Sequence, residues 1–280
     1  MPELPEVETI VRGIRPRLVG RRITGVAVLD PKILQNISPD KLEEKITGRV
    51  FCNVARRGKY LIFGFAQGGC LILHLRMTGQ AIVSDPDVPR EKHLRFCLRL
   101  SDGKELRLVD LRRFATLHWV PAGMRARDCA TGGFVDLGCE PLSRSFTLDR
   151  LKALLGRRTT QIKAFLLDQR HLAGLGNIYA DEVLHRAGIH PQTRVCDLSE
   201  ESIEALYRSI QTVLNEGILH RGTSVSDYVD GSGQPGEYQK LLRVYGREGE
   251  PCRSCGTLIA RTKVGGRGTY FCPQCQRERS

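Results

Sequence analysis

The 280-residue sequence predicts an α+β protein with an N-terminal antiparallel β-sandwich, a helical domain and a small C-terminal cysteine-bearing hairpin. Three observations carry this expectation. Eight short β-branched or alternating runs fall between residues 23 and 120. Four segments between residues 147 and 216 repeat apolar side chains every three or four positions. Two Cys-x2-Cys pairs lie near the C-terminus.

The first element is a helix over residues 6–18, with Val7, Ile10, Val11, Ile14 and Leu18 on one stripe. Pro16 should kink or end it, and Gly20 is a suitable stop. Strands are expected at 23–29, 49–55, 60–65, 70–75, 80–83, 94–100, 105–109 and 116–120, with Gly, Asp and Pro between many of them, as in Ser101-Asp102-Gly103. Such a series predicts a β-sandwich within a domain over residues 1–124. Residues 125–145 hold Gly132, Gly133, Gly138 and Pro141 with little periodicity and read as a linker. Helices at 147–155, 161–167, 177–187 and 199–216 belong to a domain over 146–242, which ends in a polar, glycine-rich loop at 222–236. A basic tail, 243–280, carries the paired cysteines.

Lys and Arg number 43 against 31 Asp and Glu, a formal charge of +12. This excess suits a polyanion, most often nucleic acid, although a solvated basic surface would give the same balance. An apolar content of 41% with 26% charged residues excludes global disorder. No segment approaches the roughly 20 apolar residues of a membrane span. The first ten residues hold three glutamates and no basic residue, unlike a signal or transit peptide, so a cytoplasmic protein with reduced thiols is expected.

Six of the ten cysteines, Cys52, Cys70, Cys97, Cys129, Cys139 and Cys196, are scattered and are expected to be small buried residues. Cys252-x2-Cys255 and Cys272-x2-Cys275 are separated by sixteen residues. Four soft ligands on two knuckles predict one structural Zn2+ with every position filled; two disulfides or a redox pair are the alternatives. Arg253, Arg261, Lys263 and Arg267 surround the cluster, which suits a nucleic-acid finger as well as a stabilising staple. Gly174 and Gly176 lead into a helix for which Asn177 is an N-cap candidate. A helix N-terminus reached through glycines can hold a phosphate, and it can also be a plain turn.

Longer motifs follow one another along the chain: Met1-Pro2-Glu3-Leu4-Pro5-Glu6-Val7-Glu8-Thr9, Arg57-Gly58-Lys59-Tyr60-Leu61, His74-Leu75-Arg76-Met77-Thr78-Gly79, Asp110-Leu111-Arg112-Arg113-Phe114, Gly174-Leu175-Gly176-Asn177-Ile178-Tyr179-Ala180 and the paired cysteines. In this order they resemble the formamidopyrimidine-DNA glycosylase family over the whole chain. That family combines a β-sandwich, a helix–two-turns–helix domain and a zinc-finger hairpin. Leu4 stands where the related endonuclease VIII branch typically has Gly, which favours the branch that acts on oxidised purines. Two departures are Leu111, where proline is common, and Arg76, where glycine is common.

The resemblance implies a monomeric DNA glycosylase and AP lyase acting on double-stranded DNA that contains oxidised purines. It makes Pro2 the nucleophile once Met1 is lost, because a terminal proline is a secondary amine able to form an iminium with the sugar. Glu3 would protonate the opening sugar ring and Glu6 would support it, although acids in a first helical turn need no catalytic reason. Lys59, Asn177 and Arg267 would hold phosphates flanking the lesion, and Pro2, Glu3, Lys59 and Arg267 form the expected catalytic set. Met77, Arg112 and Phe114 would fill the gap left by the everted nucleotide, while Met77 and Phe114 by themselves would pass for strand packing. His93 is assigned to DNA contact with them. Residues 223–238 would cover the flipped base. A non-catalytic DNA-binding zinc protein and an enzyme for oxidised pyrimidines are the competing readings.

Overall fold

The computed structural model describes residues 1–125, 134–225 and 227–277. The chain divides into two compact units, one of residues 1–136 and 220–239, the other of residues 137–219 and 240–280.

The first unit opens with helix α1 (Leu4–Leu18). Its stripe of Val7, Ile10, Val11, Ile14 and Leu18 is wholly buried. Those five side chains give a gross hydrophobic gain of about 10 kcal/mol before the entropy of ordering the helix is set against it. The helix does not stop at Pro16 but runs two residues further. Pro16 is exposed and lies in the last turn, where one missing N–H costs little, and the N–H of Val19 still closes on the Arg15 carbonyl at 3.0 Å.

Strands β1 (Ile23–Val28), β2 (Phe51–Arg57), β3 (Tyr60–Phe65), β4 (Cys70–His74), β5 (Gly79–Ser84), β6 (Leu94–Leu100), β7 (Glu105–Asp110) and β8 (Thr116–Val120) form two antiparallel sheets, ordered β1-β6-β7-β5 and β2-β3-β4-β8. Each expected run is a strand. Inward residues of both sheets, among them Phe63, Leu71, Leu98 and Leu106, join the stripe of α1 in one core. Two registers set the functional loops: Arg57 pairs with Tyr60 around the turn at Gly58-Lys59, and Gly79 pairs with Asp110. Helix α2 (Pro39–Ile46) has no counterpart in the sequence reading, since its eight residues bury only Leu42 and Ile46 and offer too few turns for a period.

The second unit contains α3 (Leu148–Leu155), α4 (Ile162–Leu167), α5 (Asn177–Ala187), α6 (Glu200–Leu219) and the antiparallel hairpin β9 (Ala260–Val264) and β10 (Arg267–Phe271). Gly265 and Gly266 turn the hairpin with φ of 54° and 75°, the left-handed pair that a two-residue turn demands. Part of the expected linker belongs to this unit: Cys139 bridges to Leu172, and the Gly138 N–H donates to the Gln169 carbonyl at 2.8 Å. Residues 126–133 of that linker, Ser226 of the glycine-rich loop and the last three residues of the tail lie outside the described residues.

The expectation of buried scattered cysteines needs correction. Only Cys97 is buried; Cys52 and Cys196 are exposed, and Cys70 and Cys139 lie between. Cys52 follows inward-facing Phe51 on β2, so strand alternation turns it outward. Cys129 lies outside the described residues.

Candidate active site and nucleic-acid contacts

Pro2 and Glu3 lie just before α1, and both are buried. Glu3 is the N-cap residue in extended conformation. Glu6, 2% exposed, has both carboxylate oxygens engaged by backbone: Oε2 accepts the N–H of Glu3 at 2.8 Å and Oε1 accepts that of Thr223 at 2.8 Å. The first bond is the returning arm of a capping box. The second fastens the root of the glycine-rich loop to the start of the chain. Gly222 permits that approach, because its φ is +80° and a Cβ there would meet Glu6 Cγ at 2.9 Å. The loop is further ordered by Asp230, whose Oδ1 accepts the N–H groups of Ser232 and Gln234 at 2.9 and 3.0 Å.

Burial pulls the terminal ammonium on Met1 below its ordinary pKa; Lys59 pulls the same way, and Glu3 and Glu6 oppose them. Lys59 is thus part of the electrostatic surroundings of the chain start. It sits in the β2–β3 turn yet is buried, unlike an ordinary turn lysine. Gly58 before it takes φ 55°.

Met77 lies between β4 and β5, and Arg112 and Phe114 lie between β7 and β8. Met77, Leu111 and Phe114 are 42%, 52% and 49% exposed. Strand packing therefore does not explain Met77 or Phe114; clustered exposed apolar side chains mark a binding surface. The two loops are tied together, since the Arg112 N–H donates to Thr78 Oγ1 at 3.0 Å. The Arg112 guanidinium stands 4.8 Å from the Phe114 ring centre. Asp110, 1% exposed, organises the second loop: Oδ2 accepts the N–H groups of Phe114 and Ala115 at 2.7 and 2.8 Å, and Oδ1 accepts the Thr78 hydroxyl and the Arg112 N–H. Asp110 stands in its motif with no role assigned by sequence, yet an acid closing an apolar strand is a signal for such an organising residue.

His93 is half-buried, and its carbonyl accepts the Asp110 N–H at 2.9 Å, next to the same loop. Of the two departures from the family pattern, Leu111 is exposed and Arg76 takes a left-handed φ of 54°. The Arg76 N–H donates to His74 Nδ1 at 2.9 Å. Burial first, then the charges of Arg76 and Lys59, lower the His74 pKa to about 3, so the ring is neutral and Nδ1 can accept.

In the second unit the N-cap of α5 is Gly176 and not Asn177. Asn177 is the first helical residue, and its Nδ2 donates across to the Gly268 carbonyl at 2.9 Å while Oδ1 is buried without a partner. The side chain is thereby committed to the hairpin instead of its own helix, and it lies beside exposed Arg267. Lys163 and Asp181, both fully buried, pair at 2.7 Å. Lys163 Nζ also donates to the Gly268 carbonyl (3.0 Å) and Thr269 Oγ1 (2.8 Å), and Asp181 Oδ2 accepts the Tyr270 N–H (3.0 Å). One buried ion pair thus pins β10, the strand that begins with Arg267. Glu182 accepts the N–H groups of Arg243, Val244 and Tyr245 at 2.9, 3.0 and 2.9 Å. These three anchors escape the sequence reading, although charged residues on the apolar faces of α4 and α5 announce buried pairing.

The Sγ atoms of Cys252, Cys255, Cys272 and Cys275 lie within 4.8 Å of one another. Sulfurs bound at ~2.3 Å to a tetrahedral zinc are about 3.8 Å apart. The observed Cys255–Cys272 and Cys252–Cys275 separations of 3.4 and 3.9 Å fit a single structural zinc. The N–H groups of Ser254 and Cys275 point at the sulfurs of Cys252 and Cys272, each at 3.4 Å, the outer support thiolates require. No disulfide forms among the described cysteines. Among the described residues no helix is long and apolar enough to cross a membrane.

Exposed cations beside exposed apolar side chains suit an extended polyanion with stacked bases, and the buried acids Glu3 and Glu6 suit acid–base chemistry. A DNA-repair glycosylase with lyase activity is the class of enzyme that uses both. Comparison with known proteins narrows the class. Family models for the formamidopyrimidine-DNA glycosylase N-terminal domain, its H2TH domain and the zinc finger found in FPG and IleRS match residues 1–117, 137–229 and 249–277. Relatives named formamidopyrimidine-DNA glycosylase from Pelotomaculum thermopropionicum and Desulforamulus reducens are each 46% identical, over 99% of this chain and 99% of their own. A solved complex of Lactococcus lactis Fpg with DNA containing an abasic site matches with a TM-score of 0.89 at 38% identity, over 99% of this chain and all of that one. A complex of the same enzyme with N7-benzyl-Fapy-dG DNA matches with a TM-score of 0.90 at 38% identity, over 99% of this chain and 100% of that one. The chain belongs to the formamidopyrimidine-DNA glycosylase family.

Proposed function

We propose that the protein excises oxidised purines, 8-oxoguanine and formamidopyrimidines, from duplex DNA through a Pro2 Schiff base and then breaks the strand by β,δ-elimination, working as a monomer in the cytoplasm. The observation that carries this reading is the buried Pro2-Glu3 step leading into α1, locked by Glu6. With Met1 removed, Pro2 is a secondary amine in surroundings that disfavour the protonated form, as they do for Met1. The neutral nitrogen attacks C1′ and the base leaves with the bonding pair. Glu3 protonates the ring oxygen as the sugar opens and the nitrogen becomes an iminium. The iminium acidifies the C2′ hydrogen, whose loss expels the 3′ phosphate; a second elimination releases the 5′ phosphate.

In this scheme Lys59 and Arg267 neutralise phosphates and assist their departure, and Asn177 holds a further phosphate. Met77 and Phe114 wedge the stack, Arg112 meets the orphaned base, and His93 contacts the strand beside them. Residues 223–238 cover the everted base. The zinc finger is structural, holding the hairpin that carries Arg267.

The test is excision of 8-oxoguanine opposite cytosine against thymine glycol opposite adenine in one duplex context. Faster loss of 8-oxoguanine is expected. The pyrimidine reading has one supporting observation, that a solved complex of the L. lactis enzyme contains an oxidised pyrimidine, and the reverse ranking would establish it here. Binding without excision of either lesion would leave only a DNA-binding module.

A further inference from the structure

Three non-glycine residues among the described ones hold a left-handed backbone, and all three are arginines: Arg76 (φ 54°), Arg113 (φ 59°) and Arg221 (φ 58°). Such a conformation is strained for any residue with a Cβ, so each needs a compensating interaction. Arg113 has one, since its guanidinium grips Asp30 at 2.5 and 2.9 Å. Arg221 stands 3.8 Å from both Asp230 and Glu237. Arg76 differs. Its backbone N–H is used by His74, but its side chain is exposed and makes no hydrogen bond or ion pair among the described residues.

Three further facts bear on Arg76. It directly precedes Met77, one of the exposed apolar side chains of the wedge surface. Its charge adds to that of Lys59 around His74. The left-handed residue also lies in the turn that links β4 to β5, where a glycine would serve the backbone better than arginine does.

We infer that Arg76 is an additional DNA-binding residue, a cation carried at the edge of the wedge surface to neutralise a backbone phosphate next to the position of Met77. The inference rests on the DNA-repair reading above. A strained, unpaired, exposed guanidinium is of no use to the isolated fold, and a phosphate supplies the partner that the protein withholds. The contact is an electrostatic one without base specificity, so it acts on affinity for all sequences.

The test uses the full-length zinc-bound protein and a duplex bearing a tetrahydrofuran abasic analogue, which is bound but not excised. Affinity is measured across a salt series for the wild type, Arg76→Gly and Arg76→Lys, together with their melting temperatures. Arg76→Gly should flatten the slope of log affinity against log salt by about 0.9, so that its deficit shrinks about threefold between 50 and 200 mM salt. Its melting temperature should equal or exceed that of the wild type, because the strain is gone. Arg76→Lys should keep the wild-type slope. An unchanged slope in Arg76→Gly, or a loss of affinity that is equal at every salt and accompanied by a lower melting temperature, would overturn the inference. Failure of the wild type itself to bind the duplex would instead overturn the functional reading on which it rests.

Discussion

The carboxylate of Glu6 accepts the backbone N–H of Thr223 at 2.8 Å, across 217 residues of sequence, while its other oxygen holds the N–H of Glu3. The start of the chain and the root of the glycine-rich loop therefore share one buried acid. Glu6→Gln keeps the size but gives the side chain a donor where one of two N–H groups must face it. The unmatched pair should cost about 1–3 kcal/mol and displace either Pro2-Glu3 or the loop. Thermal melting and single-turnover excision read the two effects, with excision slowed by about tenfold or more. A variant with wild-type melting and wild-type excision would mean that Glu6 positions neither.

His74 sets a pH limit on the first unit. It is neutral in the fold with a pKa of about 3 against an ordinary 6.5, and its Nδ1 must stay unprotonated to accept from Arg76. A depressed pKa means the unfolded chain takes up the proton first, so this contribution is intact above pH 6.5 and is lost as pH falls toward 3. At pH 5 the loss amounts to about 2 kcal/mol. Burial lowers His118 as well, which acts in the same direction. Urea unfolding can be followed through Trp119, the single tryptophan, which lies in this unit. The drop in stability from pH 7.5 to 5 should be smaller in His74→Asn than in the wild type. An equal drop in both would place the pH dependence elsewhere.

Much of the architecture was legible because periodicity and burial coincide. The eight strands carry alternating or β-branched runs, and the stripe of α1 is wholly inward. Helix α2 was not legible, since two buried residues make no period. Pro16 marks the end of α1 only to within two residues, because the effect of a proline depends on how many turns follow it. At the site, spacing alone revealed the thiol cluster. Asp110 holds N–H groups only a few residues ahead. Lys163, Asp181 and Glu182 are single charged residues on apolar helix faces, which marks them for buried pairing, but their partners are distant in sequence and no local pattern names them. Asn177 was misread as a cap for the same reason, its partner being Gly268.

Zinc should matter to the second unit only. Cys272→Ser, or stripping the metal with a chelator, should abolish the metal signal and release the β9–β10 hairpin, while the urea transition reported by Trp119 stays in place. Losing the phosphate contact proposed for Arg267 should weaken lesion-duplex binding by roughly tenfold, as expected for one charge-assisted hydrogen bond of about 1.5 kcal/mol. Active protein that contains no zinc by metal analysis would refute the cluster's assignment.

Arg112 and Arg267 should separate by the kind of information they carry. Arg267→Ala should weaken binding to every duplex alike and flatten its salt slope by about 0.9. Arg112→Ala should instead change the preference for the base opposite 8-oxoguanine, because a base contact distinguishes partners and a phosphate contact does not. The measurement is affinity with each of the four bases opposite the lesion. Loss of opposite-base preference in Arg267→Ala, with preference intact in Arg112→Ala, would reverse the two roles.

Borohydride trapping bears most directly on the nucleophile. Protein freed of Met1 is mixed with a duplex containing 8-oxoguanine opposite cytosine, the imine is reduced, and the cross-linked peptide is identified by mass. The expected adduct is on the N-terminal peptide, through the Pro2 nitrogen, and a preparation that retains Met1 should bind the duplex and trap nothing. An adduct on a lysine such as Lys59, or trapping of equal yield with Met1 in place, would contradict Pro2 as the nucleophile.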